Sequence, residues 1–283
     1  MEYREYRPCP ELASIVAVIW TLEGHARETE GEAQPVLPDG QPELVIHLGD
    51  AFARVHGDGL AERQPLTLFA GQLTEQLVLQ PTGRIAVLGV RFRPFGAAAM
   101  LLVPQQQLTG LTADLAAVAP PLARALDAVR SQTEDLFVAT RLVQAILLRH
   151  VHRSRVDPRV RAAVDAIHLA DGMLSMNDLA READMTRRHL ERRFLEYVGI
   201  PPKRLARITR FQRALRLLDG VDGTRKGAET AVDCGYADQS HFIREFRELA
   251  GCSPSEHLLR RAELTAFFID GPSRQGERPS RNF

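Results

Sequence analysis

The sequence predicts two domains: an α+β amino-terminal domain, a small β-barrel or β-sandwich followed by helices, and an all-α carboxyl-terminal domain. Its 283 residues are about twice the usual length of one domain. Short apolar segments separated by Pro and Gly turns fill the first 93 residues, and the apolar period becomes helical after Arg93. The second half contains one helical segment twice.

The strands of the amino-terminal domain are predicted from short apolar runs between turn signals. Turns are expected at 38–40 (Pro-Asp-Gly), 57–59 (Gly-Asp-Gly) and 81–83 (Pro-Thr-Gly). The candidate strands are residues 14–22, 43–48, 51–56, 67–70, 76–79 and 84–92. Helices are expected at 95–102, 121–130 and 134–151. Helices gathered after strands are typical of an α+β domain, which we place at residues 1–152.

The linker is predicted at residues 152–157, where the chain is polar and charged. Asp157 can cap a helix that has Pro158 at its first position. Beyond it, HLERRFLEYVG (189–199) recurs 52 residues later as HFIREFRELAG (241–251), so that His189 matches His241 and Phe194 matches Phe246. An internal repeat decides the architecture of a chain, and two copies are too few for a solenoid.

A second helix precedes each copy of the repeat, at 175–183 and 228–234, with a short turn between the two helices. Ser175 begins a capping box, and Thr186 and Asp238 can cap the helices that follow the turns. Two helices joined in this way form a helix-turn-helix motif, whose second helix can enter a DNA major groove. We therefore predict motifs at about 175–197 and 228–250 within a domain at 157–262.

The second helices, 186–197 and 238–249, each carry an apolar stripe and an opposite polar face. Arginine can pair with guanine and glutamine with adenine. The side chains predicted to contact base edges are Arg188, Arg192, Gln239, Ser240 and Arg244. Those predicted to contact phosphate are Arg187, Lys203, Arg204 and Arg207. The alternative interpretation is a pair of solvated helix faces with ordinary charges.

A long helix at 201–218 separates the two motifs and spans about 27 Å at 1.5 Å per residue. This length would hold the two outer helices about one duplex turn apart, roughly 34 Å. Charge is also concentrated here. The formal net charge of the chain is zero, yet residues 186–216 hold 10 basic and 2 acidic side chains. A basic stripe in a neutral protein favours nucleic-acid binding.

Residues 157–260 resemble the DNA-binding domain of the AraC/XylS family of bacterial transcription regulators. The resemblance is carried by LAREADMTRRHLERRFLEYVGIPPKRL (179–205) and GYADQSHFIREFRELAGCSPSEHL (235–258). Thr230 stands where the family usually has an aliphatic residue, and Asp184 where a Gly often sits; Asp tolerates left-handed backbone geometry. VLPDGQPELVIHLGD (36–50) and LGVRFRPFGAAAML (88–101) resemble the amino-terminal effector domain of a subgroup, a position that is usually cupin-like in the wider family.

The resemblance implies a sequence-specific regulator and not an enzyme, with double-stranded DNA as its partner. It also implies a small-molecule effector in the amino-terminal domain, a homodimer, and RNA polymerase as a partner if the protein is an activator. We expect no cofactor, metal, catalytic residue or membrane association, and a cytoplasmic location, because no apolar run approaches 18 residues and the three Cys share no ligand spacing. The alternatives are a cupin-like metal-dependent enzyme with a regulatory helical tail and a helical protein-binding module.

The effector pocket has three candidate residues, Trp20, Arg91 and Arg93. The two arginines alternate on one strand face, which would suit an anionic ligand; the alternative is a solvent-facing edge. His47 and His56 lack the HxH pattern of a cupin metal site. The segment 271–283 has the composition of a disordered tail.

Overall fold

The structure is a computed structural model that describes residues 1–29, 31–152, 157–219 and 227–259. The predicted tail at 271–283 lies outside the described residues, as do the centre of the linker at 153–156 and most of the loop that follows the long helix.

Two antiparallel sheets form the amino-terminal domain, as predicted. The six-stranded sheet has the order β1-β2-β9-β4-β7-β10, with β1 Glu2–Tyr6, β2 Val16–His25, β9 Arg84–Phe92, β4 Glu43–His47, β7 Thr67–Ala70 and β10 Thr112–Asp114. The four-stranded sheet has the order β3-β8-β5-β6, with β3 Gln34–Val36, β8 Leu77–Gln80, β5 Ala53–Val55 and β6 Ala61–Arg63. The charged start of the chain, which carried no strand prediction, pairs with β2 along its whole length.

Strand β9 at the centre of the six-stranded sheet is buried on both faces, and its successive side chains point to opposite faces. Leu88, Val90 and Phe92 of β9 pack against a helical layer, whereas Val87 and Arg91 point towards the second sheet. The helical layer consists of α1 Leu115–Val118, α2 Pro120–Gln132 and α3 Leu136–His150. Helices following strands are the α+β arrangement predicted.

The helix expected at 95–102 is shorter than predicted, a single 3-10 turn at Gly96–Ala99. Gly96 lies against the end of β2, where a Cβ atom would come within 1.9 Å of the carbonyl oxygen of Ile15. Contact with the sheet therefore decides the conformation of this segment, and Pro104 starts the next 3-10 turn shortly afterwards.

Helices alone make up the described part of the carboxyl-terminal half. They are α4 Pro158–Leu169, α5 Met176–Glu182, α6 Arg187–Tyr197, α7 Pro202–Asp219, α8 Gly227–Asp233, α9 Gln239–Ala250 and α10 Pro254–Leu259. Two helical pairs, α5 with α6 and α8 with α9, have the order and spacing of helix-turn-helix motifs. The long helix α7 connects them and packs against α4, α8 and α9.

Side-chain caps and left-handed turn residues fix the two helical pairs. The backbone N–H of His189 donates to the Thr186 hydroxyl at 3.3 Å, and that of His241 donates to Asp238 at 2.7 Å. The turn residues have positive φ angles, 49° at Asp184 and 70° at Gly235. An aspartate thus adopts the left-handed geometry that the second motif gives to a glycine.

The core of the carboxyl-terminal half is aromatic. Phe194, Phe211, Phe242 and Phe246 are fully buried, and the rings of Phe211 and Phe246 meet edge to face with centroids 5.2 Å apart. Leu37 of the amino-terminal domain packs into the same cluster. The two halves of the chain therefore share buried apolar contacts.

Candidate nucleic-acid interface

Helix α6 separates a buried face from an exposed one. Leu190 and Phe194 are buried, while Arg188 and Arg192, one turn apart, are exposed on the other side. The Thr186 cap fixes where this helix starts, and so fixes the direction in which both guanidinium groups project. Glu191 is exposed between them.

Helix α9 repeats this arrangement. Phe242 and Phe246 are buried, while Gln239, Ser240 and Arg244 are exposed. Gln239 and Ser240 occupy the first turn, immediately after the Asp238 cap. Because an outer helix contacts base edges mainly through its amino-terminal residues, these positions have the geometry that major-groove recognition requires.

The arginines of this half fall into two sets, according to whether a carboxylate holds them. Among the described residues, Arg188, Arg192 and Arg244 form no ion pair, and all three are exposed. Arg193, by contrast, donates to Asp157 at 2.9 Å and to Glu196 at 2.8 Å, which fastens α6 to the start of α4. Adjacent arginines in the sequence thus have different roles.

Two of the four residues predicted to contact phosphate are exposed, and two are already paired with carboxylates. Arg187 and Lys203 are exposed. Arg204 donates to Glu248 and to the carbonyl oxygen of Thr74 in the amino-terminal domain. Arg207 donates to Glu248 and, at 2.7 Å, to Glu245. The positive charge of α7 is therefore partly neutralised within the chain.

Glu245 connects α9 to α7, a contact that was not predicted from the sequence. Its side chain is 3 % exposed and lies 2.7 Å from Arg207 and 3.5 Å from Arg210. Burial by itself lowers the pKa of Arg207, but hydrogen bonds to Glu248 and Glu245 outweigh it and raise that pKa above its usual value. Glu245 and Glu248 are three positions apart, as are Arg204, Arg207 and Arg210 of α7. This matched spacing is the feature of the sequence that could have predicted the ion pairs.

An open groove joins the exposed surfaces of α7 and α9. It is lined by Lys203, Arg207, Arg210, His241, Arg244, Glu245 and Glu248. Lys203 and Arg244, predicted to contact phosphate and base respectively, thus lie on one surface. His241 stands 3.8 Å from Glu245 and packs edge-on against Tyr236.

The comparisons with known proteins assign this region to a characterised domain type. Residues 179–260 match the family described as "Helix-turn-helix domain", and residues 4–114 match a "Domain of unknown function". The helix-turn-helix match covers both segments on which the resemblance to the AraC/XylS family rests, 179–205 and 235–258. It also covers most of the two capped helical pairs.

One curated relative of this chain is the probable thc operon regulatory protein of Rhodococcus erythropolis, 30% identical over 122 residues. The match spans 40% of this chain and 37% of the length of that relative. A probable AraC family transcriptional regulator from Rhodopseudomonas palustris is 26% identical, with a TM-score of 0.34, over 37% of this chain and 97% of that one. ToxT from Vibrio cholerae is 13% identical, with a TM-score of 0.43, over 85% and 97%.

The candidate effector residues separate into two groups. Trp20 and Arg91 line a cavity between the two sheets of the amino-terminal domain. Arg93 is exposed outside that cavity and donates to the carbonyl oxygen of Ala13 at 3.0 Å. Arg91 and Arg93 therefore do not act together on one ligand.

Two further findings concern other kinds of site. Within residues 1–29, 31–152, 157–219 and 227–259, no group of three or more His, Cys, Asp or Glu side chains could hold a metal ion. None of the helices described is long and apolar enough to cross a lipid bilayer.

Proposed function

We propose that this protein is a sequence-specific DNA-binding transcription regulator that contacts two successive major-groove segments with α6 and α9. One observation carries the proposal: Arg188, Arg192 and Arg244 of the two outer helices are exposed and have no carboxylate partner in the described chain, whereas Arg193 and Arg207 are paired internally. An exposed guanidinium without a partner is free to form two parallel hydrogen bonds with guanine.

Base contacts are proposed for Arg188, Arg192, Gln239, Ser240 and Arg244. The paired helices, their caps and the exposed positions of these side chains support this assignment.

Phosphate contacts are proposed for Arg187 and Lys203, and for Arg204 and Arg207 by exchange of a carboxylate for a phosphate. Glu248 is 45 % exposed, so it can leave these arginines at low cost. The buried Glu245 would keep Arg207 attached to α9 during such an exchange.

The remaining parts of the chain are assigned roles in regulation. The amino-terminal domain, residues 1–152, is proposed to bind a small-molecule effector and to mediate a homodimer, and the DNA-binding domain covers 157–262. RNA polymerase would be a further partner if the protein activates transcription, and the cytoplasm its location. The ToxT structures include one bound to an unsaturated fatty acid, a property of that protein.

Two other functions compete with this proposal. A metal-dependent enzyme in the amino-terminal domain would require a His and carboxylate cluster, and stoichiometric iron or zinc in the purified protein would support it. A helical protein-binding module would bind its partner without marked salt dependence. We propose that the protein is not an enzyme and that its helices bind nucleic acid.

The test is selection of bound duplexes from a random pool by the full chain, followed by titration of the selected duplex at several salt concentrations. We expect one site containing two segments about one helical turn apart, and affinity that falls steeply with salt as arginine displaces counterions. Arg63→Ala removes one exposed positive charge from β6 of the amino-terminal domain and serves as the control. Recovery of no preferred sequence, or salt-independent binding, would contradict the proposal.

A further inference from the structure

A cavity lies between the two sheets of the amino-terminal domain and opens to solvent. The empty space within it and beyond its mouth, open solvent included, is about 890 Å³. Most of its wall is apolar and includes Trp20, Leu22, Phe52 and Val87. An apolar lining with a few polar groups is typical of a site that buries a small organic ligand and orients it.

One end of the cavity carries two carboxylates and one arginine. Arg91 donates from Nε to Glu43 at 2.6 Å and lies 3.5 Å from Asp39, and the Trp20 indole N–H donates to Glu43 at 3.2 Å. Arg91 is buried, at 8% exposure. Its positive charge is balanced by one carboxylate, so the second carboxylate leaves this end of the cavity negative.

Further groups in the wall are acceptors without donors. The side-chain oxygens of Gln34 and Gln41 are buried and have no hydrogen-bond partner among the described residues, and Gln34 is 9% exposed. The neutral ring of His47, which is 1% exposed, adds one acceptor nitrogen and one N–H donor, and neither has a partner with hydrogen-bond geometry. Because a buried acceptor without a donor is costly, these groups favour a ligand that brings hydrogen-bond donors.

We propose that this cavity binds a small organic cation, a molecule with an apolar body and a protonated nitrogen that is held by Asp39 and Glu43. The inference rests on the proposed effector role of the amino-terminal domain and specifies that the effector is a cation. The nitrogen supplies the missing positive charge and N–H donors. An anion of the same size would meet uncompensated carboxylates.

The protonation of Asp39 agrees with this assignment. Burial raises the pKa of Asp39 to about 6, against the opposing effect of Arg91. The ionised carboxylate is therefore incompletely stabilised by the protein itself. A ligand cation beside Asp39 would lower that pKa and so release protons when it binds at pH 6.

Asp39 lies in a loop that touches α7, so binding in the cavity would reach the DNA-binding half directly. Leu37 lines the cavity and also packs in the aromatic core of the carboxyl-terminal half. The Pro38 carbonyl oxygen accepts a hydrogen bond from Gln212 of α7 at 2.7 Å, and Gly40 lies against Leu205. A ligand that repositions Asp39 therefore acts on the helix that sets the spacing of the two motifs.

The test compares three probes with one apolar skeleton and different heads: octylamine, octan-1-ol and octanoate. Binding to the full chain is measured by calorimetry at pH 7.5. We expect octylamine to bind at least tenfold more tightly than octanoate, with octanol between them. Asp39→Asn and Glu43→Gln should each remove most of the advantage of octylamine, while octanol binding, which depends on the apolar wall, reports that the variants remain folded.

Glu62→Gln provides the matched control, because Glu62 is exposed on β6 outside the cavity and its substitution removes the same charge. Equal or tighter binding of octanoate, no octylamine binding at millimolar concentration, or octylamine binding that Asp39→Asn leaves unchanged would overturn the inference. The probes are assayed without DNA and the duplex selection without probes. A negative result in the probe assay therefore does not affect the conclusion from the duplex selection, and the reverse also holds.

Discussion

Gln212 of α7 donates a hydrogen bond of 2.7 Å from its Nε2 atom to the carbonyl oxygen of Pro38, which lies 174 positions earlier in the chain. Thr109 makes a second contact between the halves, a hydrogen bond of 2.7 Å to the Gly199 carbonyl oxygen at the end of the first helix-turn-helix motif. The first contact joins the cavity loop to the connecting helix, and the second joins the amino-terminal domain to the end of α6.

Gln212→Glu removes the donor and leaves a carboxylate facing the carbonyl oxygen of Pro38. We expect the free energy of unfolding to fall by about 1–2 kcal/mol, since a lost hydrogen bond is combined with repulsion at a half-buried contact. Urea denaturation measures the change. Gln132→Glu, at an exposed position near the end of α2, is the matched control and should change stability by less than about 0.5 kcal/mol.

Arg244→Ala and Lys203→Ala should have different effects on DNA binding. Arg244 projects from α9 where base edges are expected, so its loss should weaken binding to the selected duplex by about 1–3 kcal/mol and relax preference at one or two positions. Lys203→Ala should weaken binding to all duplexes alike and reduce the salt slope by about one. Titration of the selected duplex and of single-base variants distinguishes the two effects. An Arg244→Ala protein with unchanged affinity and preference would contradict the contact assignment.

Glu245→Ala should destabilise the fold more than Glu248→Ala. Glu245 is buried between Arg207 and Arg210, and its removal leaves Arg207 with only the more exposed Glu248 of α9 as a carboxylate partner. We expect a loss of about 2 kcal/mol, reduced from the buried-pair value because both arginines retain some solvent contact. Glu248 is 45 % exposed, so its substitution should cost less than about 1 kcal/mol. Equal effects in urea denaturation would show that burial of Glu245 does not matter.

His47 should make the protein less stable in mild acid. Burial lowers its pKa to about 4, an effect that the nearby Gln64 opposes in part, whereas an unfolded chain has the ordinary value near 6.5. Between these two values the unfolded state binds more protons, so the free energy of unfolding should fall as the pH is lowered, by up to about 3 kcal/mol at pH 4.

The His47→Gln variant isolates this effect, because glutamine does not titrate. Asp39 acts in the opposite direction between about pH 4 and 6, since its pKa is raised by burial, and it remains present in both proteins. We therefore expect the stability difference between His47→Gln and the unaltered protein to move in favour of the variant as the pH falls from 6.5 to 4. A pH-independent difference in urea denaturation would show that His47 does not titrate in this range.

Local signals predicted the helical half well. Thr186 and Asp238 begin their helices, as their side-chain chemistry indicated, and Asp184 takes the left-handed conformation suggested for it. These features depend on residues within a few positions of each other. The strands were predicted less completely. Glu2–Tyr6 forms an edge strand although its sequence is charged, and only its pairing with β2 explains this.

The candidate sites show the same division. The exposed positions of Arg192 and Arg244 followed from helical spacing. The burial of Arg91 beside Glu43 did not, because these two residues are 48 positions apart and meet only through the pairing of β4 with β9.

By itself, the sequence determined the fold class, the duplicated helical pairs, their caps and turns, and which faces of the outer helices are polar. These properties are short-range, because hydrogen bonds and apolar periodicity within one or two turns decide them. Only the tertiary structure decided which arginines are held by carboxylates, which acids surround the cavity and where its loop meets α7. Those partners are far apart in the chain, and only the packed fold sets the distances between them.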